Sequence, residues 1–391
     1  MPAFHRLLTS RWGPPFTGAL IGVLAPLLTR LGNPGNMGVC VACFSRDVAG
    51  ALGLHRAAAV QYLRPELPGF VLGALLAAWC CGEFKPRTGS APLARFLLGV
   101  FAALGALVFL GCPWRVILRL SGGDGNALPG LLGLVLGISL GILLLRRGFS
   151  LGRSHRAPHP LGWLMPGLMV GMLLLLVTMP QLGRTSEGNA SGPIFVSGQG
   201  PGSQYAPWLL ALAAGLLIGF FAQRTRFCTV GGVRDLILLR DPHLFYGALA
   251  LLVVAALTNG LLGQFQAGFQ NQPIAHDATT WNLLGMVLAG LAFTLAGGCP
   301  GRQFFLAGEG DGDAAVFILG LFVGSAFAHN FNLASSGQGP APYGPAAVLL
   351  GLIVCLILGA TMREPPQPTR PARSPQAWLR QAQAAVPHDP Q

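Results

Sequence analysis

The chain has 391 residues, of which 52% are hydrophobic and only 10% charged, with a mean hydropathy of +0.58. Such a composition lacks the polar surface a soluble domain needs, so lipid is the expected solvent. The formal charge of +12 does not read as a nucleic-acid patch, because the basic residues are almost all Arg in short segments between apolar stretches, which is a topology signal.

Apolar stretches fall in chain order near 16–31, 67–82, 92–112, 127–145, 161–180, 205–223, 244–263, 281–299, 314–329 and 343–361. The expected fold class is an all-α polytopic membrane protein of about ten spans. Arg6 and Arg11 precede the first stretch as they would in a secretory signal. No small-x-small cleavage site follows, and the stretch has a counterpart in the second half, so it is read as a span. Lys and Arg gather at the N-terminus, in 83–91, 146–160, 224–243 and 300–313, and in the C-terminal tail; Arg146, Arg147, Arg153 and Arg156 form the densest group. Short basic loops stay cytoplasmic, so both termini are expected in the cytoplasm of a bacterial inner-membrane protein.

The two halves repeat one another. Gly111-Cys112-Pro113-Trp114-Arg115 runs on to Gly123-Asp124-Gly125-Asn126-Ala127, and Gly298-Cys299-Pro300-Gly301-Arg302 runs on to Gly310-Asp311-Gly312-Asp313-Ala314 at a constant offset of 187. Cys40 precedes Arg46-Asp47 as Cys228 precedes Arg234-Asp235, and Gly18–Gly22 resembles Gly215–Gly219. Each half reads as a span, a Cys-Arg-Asp segment, two spans, a Gly-Cys-Pro-x-Arg segment and two more spans. Five spans is an odd number, so the second copy is expected to be inverted, with its motifs about an axis in the membrane plane. The parts are then a cytoplasmic segment 1–15, repeats at 16–180 and 205–361, an extracytoplasmic linker 181–204 and a disordered tail 362–391.

Gly-Cys-Pro cannot continue a helix, because Pro lacks the N–H and clashes with the preceding turn. Broken backbone is tolerated at membrane depth where it is buried in protein or lines a wet cavity, so Cys112 and Cys299, and less strongly Cys40 and Cys228, are expected on re-entrant elements facing a pathway. Arg115 and Arg302 bring permanent positive charge near each break, in a form that recognises oxyanions. Thiols are soft, weak donors and suit a sulfur or selenium anion. The bland reading is a tight turn with a small buried Cys and an anchoring Arg. Arg46-Asp47 and Arg234-Asp235 read as ion pairs that fix loop geometry, and Asp124 and Asp311 as helix N-caps, with a proton-relay role open. Cys40-x-x-Cys43 lacks the second ligand pair of a zinc site. Cys80, Cys81 and Cys355 read as small packing residues, and His329 as a packed or hydrogen-bonded group rather than a metal ligand. No phosphate loop, paired metal-binding His or nucleophile motif appears, so neither an enzyme nor a cofactor is expected.

The paired Gly-Cys-Pro-x-Arg segments, their Gly-Asp-Gly continuations and Phe327-Ala328-His329-Asn330-Phe331 make the chain resemble the YeeE/YedE family of sulfur-transport membrane proteins, and closely its YedE branch associated with selenium metabolism. The resemblance runs from about residue 12 to 362. It implies an hourglass-shaped inverted-repeat fold, thiosulfate uptake in the YeeE branch, and cysteines that pass the anion by S–H hydrogen bonds. That role falls on Cys112, Cys299 and Cys40; Cys228 joins them through the repeat. The resemblance also implies a small TusA-like sulfurtransferase as a cytoplasmic partner. The thiosulfate branch favours Gly two residues after the motif cysteine, where this chain has Trp114. The expected function is import of a small sulfur- or selenium-containing anion through a cysteine-lined constriction. The rivals are a membrane thiol-redox or sulfur relay, and a tether for the sulfurtransferase.

Overall fold

The computed structural model describes residues 8, 10–178 and 194–363. Most of the expected linker and tail, and of the segment before the first helix, lies outside them. Each expected apolar stretch is a helix: α1 (Gly13–Arg30), α3 (Glu66–Cys80), α4 (Pro92–Phe109), α6 (Ala127–Arg146), α8 (Leu164–Thr178), α9 (Trp208–Thr225), α11 (Phe245–Leu261), α12 (Thr279–Leu295), α14 (Gly312–Asn330) and α15 (Gly344–Thr361). Between them lie α2 (Val41–Ala51), α5 (Pro113–Ser121), α10 (Thr229–Leu239) and α13 (Pro300–Gly308), each opening just after a motif cysteine, and a single-turn α7 (His159–Gly162).

Six helical stretches among the described residues are long and apolar enough to cross a membrane: Pro92–Ser121, Ala127–Arg146, Trp208–Leu239, Thr279–Gly308, Gly312–Asn330 and Gly344–Thr361. The apolar helices α3, α8 and α11 are shorter. Three of the six contain a break, each of the same design. A residue at positive φ, namely Leu110 (65°), Arg226 (57°) or Gly297 (94°), ends the first helix two residues before the cysteine. The next N–H then reaches back five residues, from Gly111 to Ala106, from Phe227 to Ala222 and from Gly298 to Phe293, which is the closing bond of a Schellman cap. Leu110 and Arg226 adopt this left-handed backbone at a cost of about 1–2 kcal/mol that Gly297 avoids.

The halves pack reciprocally. α3 lies along α9 as α11 lies along α1, and α6 lies along α12 as α14 lies along α4; α4 and α12, equivalent in the sequence, also touch each other. Glycines let these backbones approach. A Cβ on Gly73 would overlap the Leu216 carbonyl, one on Gly219 the Phe70 carbonyl, one on Gly99 the Phe317 carbonyl, and one on Gly320 the Phe96 carbonyl.

Loop contacts sort into two sets at opposite ends of the helices. At one end Arg64 donates to the carbonyls of Pro201 and Gln204, and Arg115 to that of Ile274. At the other, Lys85 N–H donates to the Glu309 carbonyl, Ala157 N–H to that of Pro86 and Ser150 N–H to that of Met362. There β1 (Arg87–Thr88) pairs antiparallel with β2 (His155–Arg156).

Gly73→Ala should lower stability by about 1–3 kcal/mol, the usual cost of overpacking, read as a lower melting temperature in detergent. Gly167→Ala, with no heavy atom within 4 Å of its Cβ position, should leave it unchanged; equal melting points would contradict backbone contact between α3 and α9.

Candidate functional site

All four motif cysteines stand at the N-caps of the short helices in extended conformation, with φ/ψ of −141°/102° at Cys40, −88°/175° at Cys112, −158°/118° at Cys228 and −63°/162° at Cys299. Three of the sulfurs accept from the N–H three residues on: Cys40 from Cys43 (3.4 Å), Cys228 from Gly231 (3.2 Å) and Cys299 from Arg302 (3.4 Å). A thiol so placed meets some of the unpaired N–H groups of a helix start, where the positive end of the helix dipole also points.

The helix starts meet in twos. Cys40 and Cys112 interact through their side chains, and the Arg115 and Ala42 N–H groups approach the Cys112 sulfur. In the other half Cys299 N–H donates to the Cys228 sulfur at 3.3 Å, and the two thiols also interact directly. Each meeting thus joins two thiols and two helix N-termini, an arrangement that favours negative charge. All four cysteines are buried, with exposures from 0% to 5%. Cavities of about 890 and 930 Å³ lie elsewhere, lined mainly by apolar residues that include no cysteine.

The two arginines differ. Arg302 approaches Glu309 at 3.5 Å, and Glu309 also binds Arg226 at 2.8 Å. Arg115 is fully buried, donates to the carbonyls of Leu110, Asn36 and Ile274, and lies 3.6 Å from the Cys43 sulfur; no ion pair among the described residues includes it. Nearby, Asp124 pairs with Arg119 at 2.6 Å with both side chains fully buried. A buried guanidinium answered only by carbonyls and a thiol leaves positive charge for an anion to meet.

A family model described as sulphur transport matches residues 224–372, which include Cys228, Cys299 and Arg302. Over this stretch, which is less than half of the chain, the sequence is similar to sulphur-transport membrane proteins, in keeping with the resemblance to the YeeE/YedE family. It is 36% identical over 106 residues to the thiosulfate transporter TsuA of Escherichia coli (strain K12), and 32% identical over 99 residues to that of Spirochaeta thermophila. These matches cover 26% and 25% of the chain, and 28% and 29% of the relatives' lengths. A 90-residue match, 37% identical, links it to the fluoride-specific ion channel FluC 2 of Synechococcus sp. (strain CC9605), covering 23% of this chain and 63% of that one.

The remaining candidates hold loops and helix starts. Asp47 bridges Arg46 and Arg64 at 2.7 Å each, all three buried, whereas Arg234 and Asp235 pair at 2.8 Å in a more exposed position. Asp311 caps α14 by accepting from Ala314 N–H and binds Arg87; Asp124 accepts from Asn126 N–H just before α6. The His329 ring packs against that of His55, tilted by 31°, with centroids 4.6 Å apart. No group of three or more His, Cys, Asp or Glu suited to a metal occurs among the described residues. Cys80 and Cys81 are exposed and Cys355 is buried in α15.

The sequence reading weighed Cys43 only as half of a C-x-x-C pair and placed neither it nor Glu309 among the site residues. Cys43 was legible, since C-x-x-C sets it one turn above Cys40. Glu309 has Gly122 at its repeat position, so the repeat gives no sign of it. It anchors the second mouth, where Glu83 binds Arg226 at 2.8 Å and Arg224 at 3.1 Å. Partial burial there disfavours the charged form, but Gln223, Arg224 and Arg226 outweigh it and hold the Glu83 carboxyl below its usual range.

Asp124→Ala should cost about 3–5 kcal/mol by leaving Arg119 buried and unpaired, whereas a joint Arg119→Leu, Asp124→Leu variant should recover most of that. Chemical melts of purified protein check this, and equal losses in the two variants would contradict it.

Proposed function

We propose that the chain imports a small sulfur- or selenium-containing anion across a bacterial inner membrane, through a constriction lined by Cys40, Cys112, Cys228 and Cys299. The observation that carries the reading is Arg115: a fully buried cation with no carboxylate partner among the described residues, one contact from the first thiol pair. An anion arriving there gains a guanidinium, the N-terminal dipoles of α2 and α5, and weak S–H donors. It can then pass to the equivalent pair, Cys228 and Cys299, before Arg302. Weak donors suit transit, because a site that bound a permanent anion strongly at every step would not release it.

The reciprocal packing and the like order of elements support two inverted five-span repeats, 16–180 and 205–361, joined by an extracytoplasmic linker. In that arrangement the Glu309 mouth faces the cytoplasm, along with both termini. The relatives named for thiosulfate transport support a sulfur oxyanion as cargo. The link to selenium metabolism rests on the resemblance to the YedE branch alone. At the Glu309 mouth a TusA-like sulfurtransferase is the proposed recipient.

A second reading, a covalent thiol relay, is favoured by the same pairing of Cys228 with Cys299. The two readings part on substitution. In proteoliposomes, uptake of labelled thiosulfate and selenite should fall by tenfold or more in Arg115→Gln, the loss expected when a charged hydrogen bond worth about 1.5–3 kcal/mol disappears. Cys299→Ser, which keeps an X–H donor, should retain partial flux. Complete loss in Cys299→Ser with normal folding, together with trapped mixed disulfides, would favour the relay. No uptake of either anion by the intact protein would leave the tether.

A further inference from the structure

Trp114 follows Cys112 by two residues, as Gly301 follows Cys299. These equivalent positions meet in space: a Cβ built on Gly301 would lie 2.8 Å from Cζ2 of Trp114 and 3.3 Å from its Cε2. The indole is 1% exposed and is held by Phe70, Phe227 and Phe305, whose ring centroids are 6.0, 5.9 and 6.1 Å away. Phe227 immediately precedes Cys228, and Phe305 lies on α13 just beyond Cys299. The side chain therefore starts at one thiol pair and ends against the other. Beneath it only a residue without a side chain fits.

One atom of this ring is out of keeping with a packing role. The Trp114 Nε1 is buried and has no hydrogen-bond partner among the described residues. Indole nitrogens in dry surroundings ordinarily find an acceptor, because an unmet donor forfeits its hydration for nothing. Nε1 is bonded to Cε2, the atom beside Gly301, so its N–H lies near the first turn of α13, whose own N–H groups also favour an anion. A small residue there would have closed the packing without stranding a donor.

We infer that Trp114 is the specificity gate of the path: its ring closes the passage between the two thiol pairs, and its indole N–H is a donor to the anion that crosses. This rests on the transport reading and adds what separates one half of the path from the other. It also gives the asymmetry of the repeat a function, since one copy supplies the door and the other, Gly301, the space it closes into.

The test uses a Cys80→Ser, Cys81→Ser background, which removes the exposed thiols. Spheroplasts and inverted membrane vesicles are treated with a membrane-impermeant thiosulfonate, and the modified cysteines are read by mass spectrometry. With Trp114 intact, the buried thiols should label slowly, and from each face only the pair nearer to it. In Trp114→Gly the far pair should become reactive from the same face, at least about tenfold faster. Trp114→Phe keeps the bulk and removes the donor: labelling should stay one-sided while thiosulfate uptake falls about tenfold to a hundredfold, the factor for losing a hydrogen bond to a charged group. Unchanged one-sided labelling in a monodisperse Trp114→Gly protein would overturn the gate. Full uptake by Trp114→Phe would overturn the donor. If the intact protein carries no anion, the transport reading and the donor fall together, while the labelling still decides whether Trp114 closes the passage.

Discussion

The structure turns on one constraint: a helix that starts inside an apolar interior leaves N–H groups that no water can satisfy. This chain stops and restarts helices at Cys112, Cys228 and Cys299, and starts another at Cys40. Each start has a cysteine at its N-cap, and at three of them the sulfur accepts from the N–H three residues on. A hydroxyl or carboxylate would cap more strongly. It would also compete with an incoming anion for the same donors, and a carboxylate would repel it. A thiol caps weakly and yields easily, so on the proposed reading one residue type serves both as a cap and as a place an anion can take.

Everything near the breaks serves to hold them. The Schellman closures fix where the long helices end, and the glycine contacts between α3 and α9 and between α4 and α14 bring the two halves into close backbone contact. Carboxylates are kept to the periphery of each pair. Asp47 is engaged by Arg46 and Arg64, Asp124 by Arg119, and Glu309 by Arg226 and Arg302. Only Arg115 is left, among the described residues at the cysteines, as a buried cation without an acid. The two ends thus differ: Arg115 near the first pair has no carboxylate partner among the described residues, whereas Arg302 near the second approaches Glu309.

Much of this was legible in the sequence, because breaks and repeats are written in residues with strong local rules. Pro113 and Pro300 announce helix restarts, the 187-residue offset announces equivalent places, and apolar runs announce the helices. Less legible was anything decided by packing between halves. The repeat gives Glu309 no acidic counterpart, and Leu110 and Arg226 take a left-handed conformation that their side chains do not advertise. The departure at Trp114 was visible as bulk where its partner copy has Gly301. That the ring lies on that very glycine with an unmet N–H depends on how the halves close on each other, which no local pattern encodes.

The central claim is that the thiol pairs at the helix starts receive an anion. Selenosulfate, which carries selenium in place of the terminal sulfur of thiosulfate, makes the claim directly visible. Crystals of the intact protein saturated with it should show an anomalous selenium peak in contact with Cys40 and Cys112 or with Cys228 and Cys299. Selenium bound only away from both pairs, or no selenium at saturating concentration, would contradict the account.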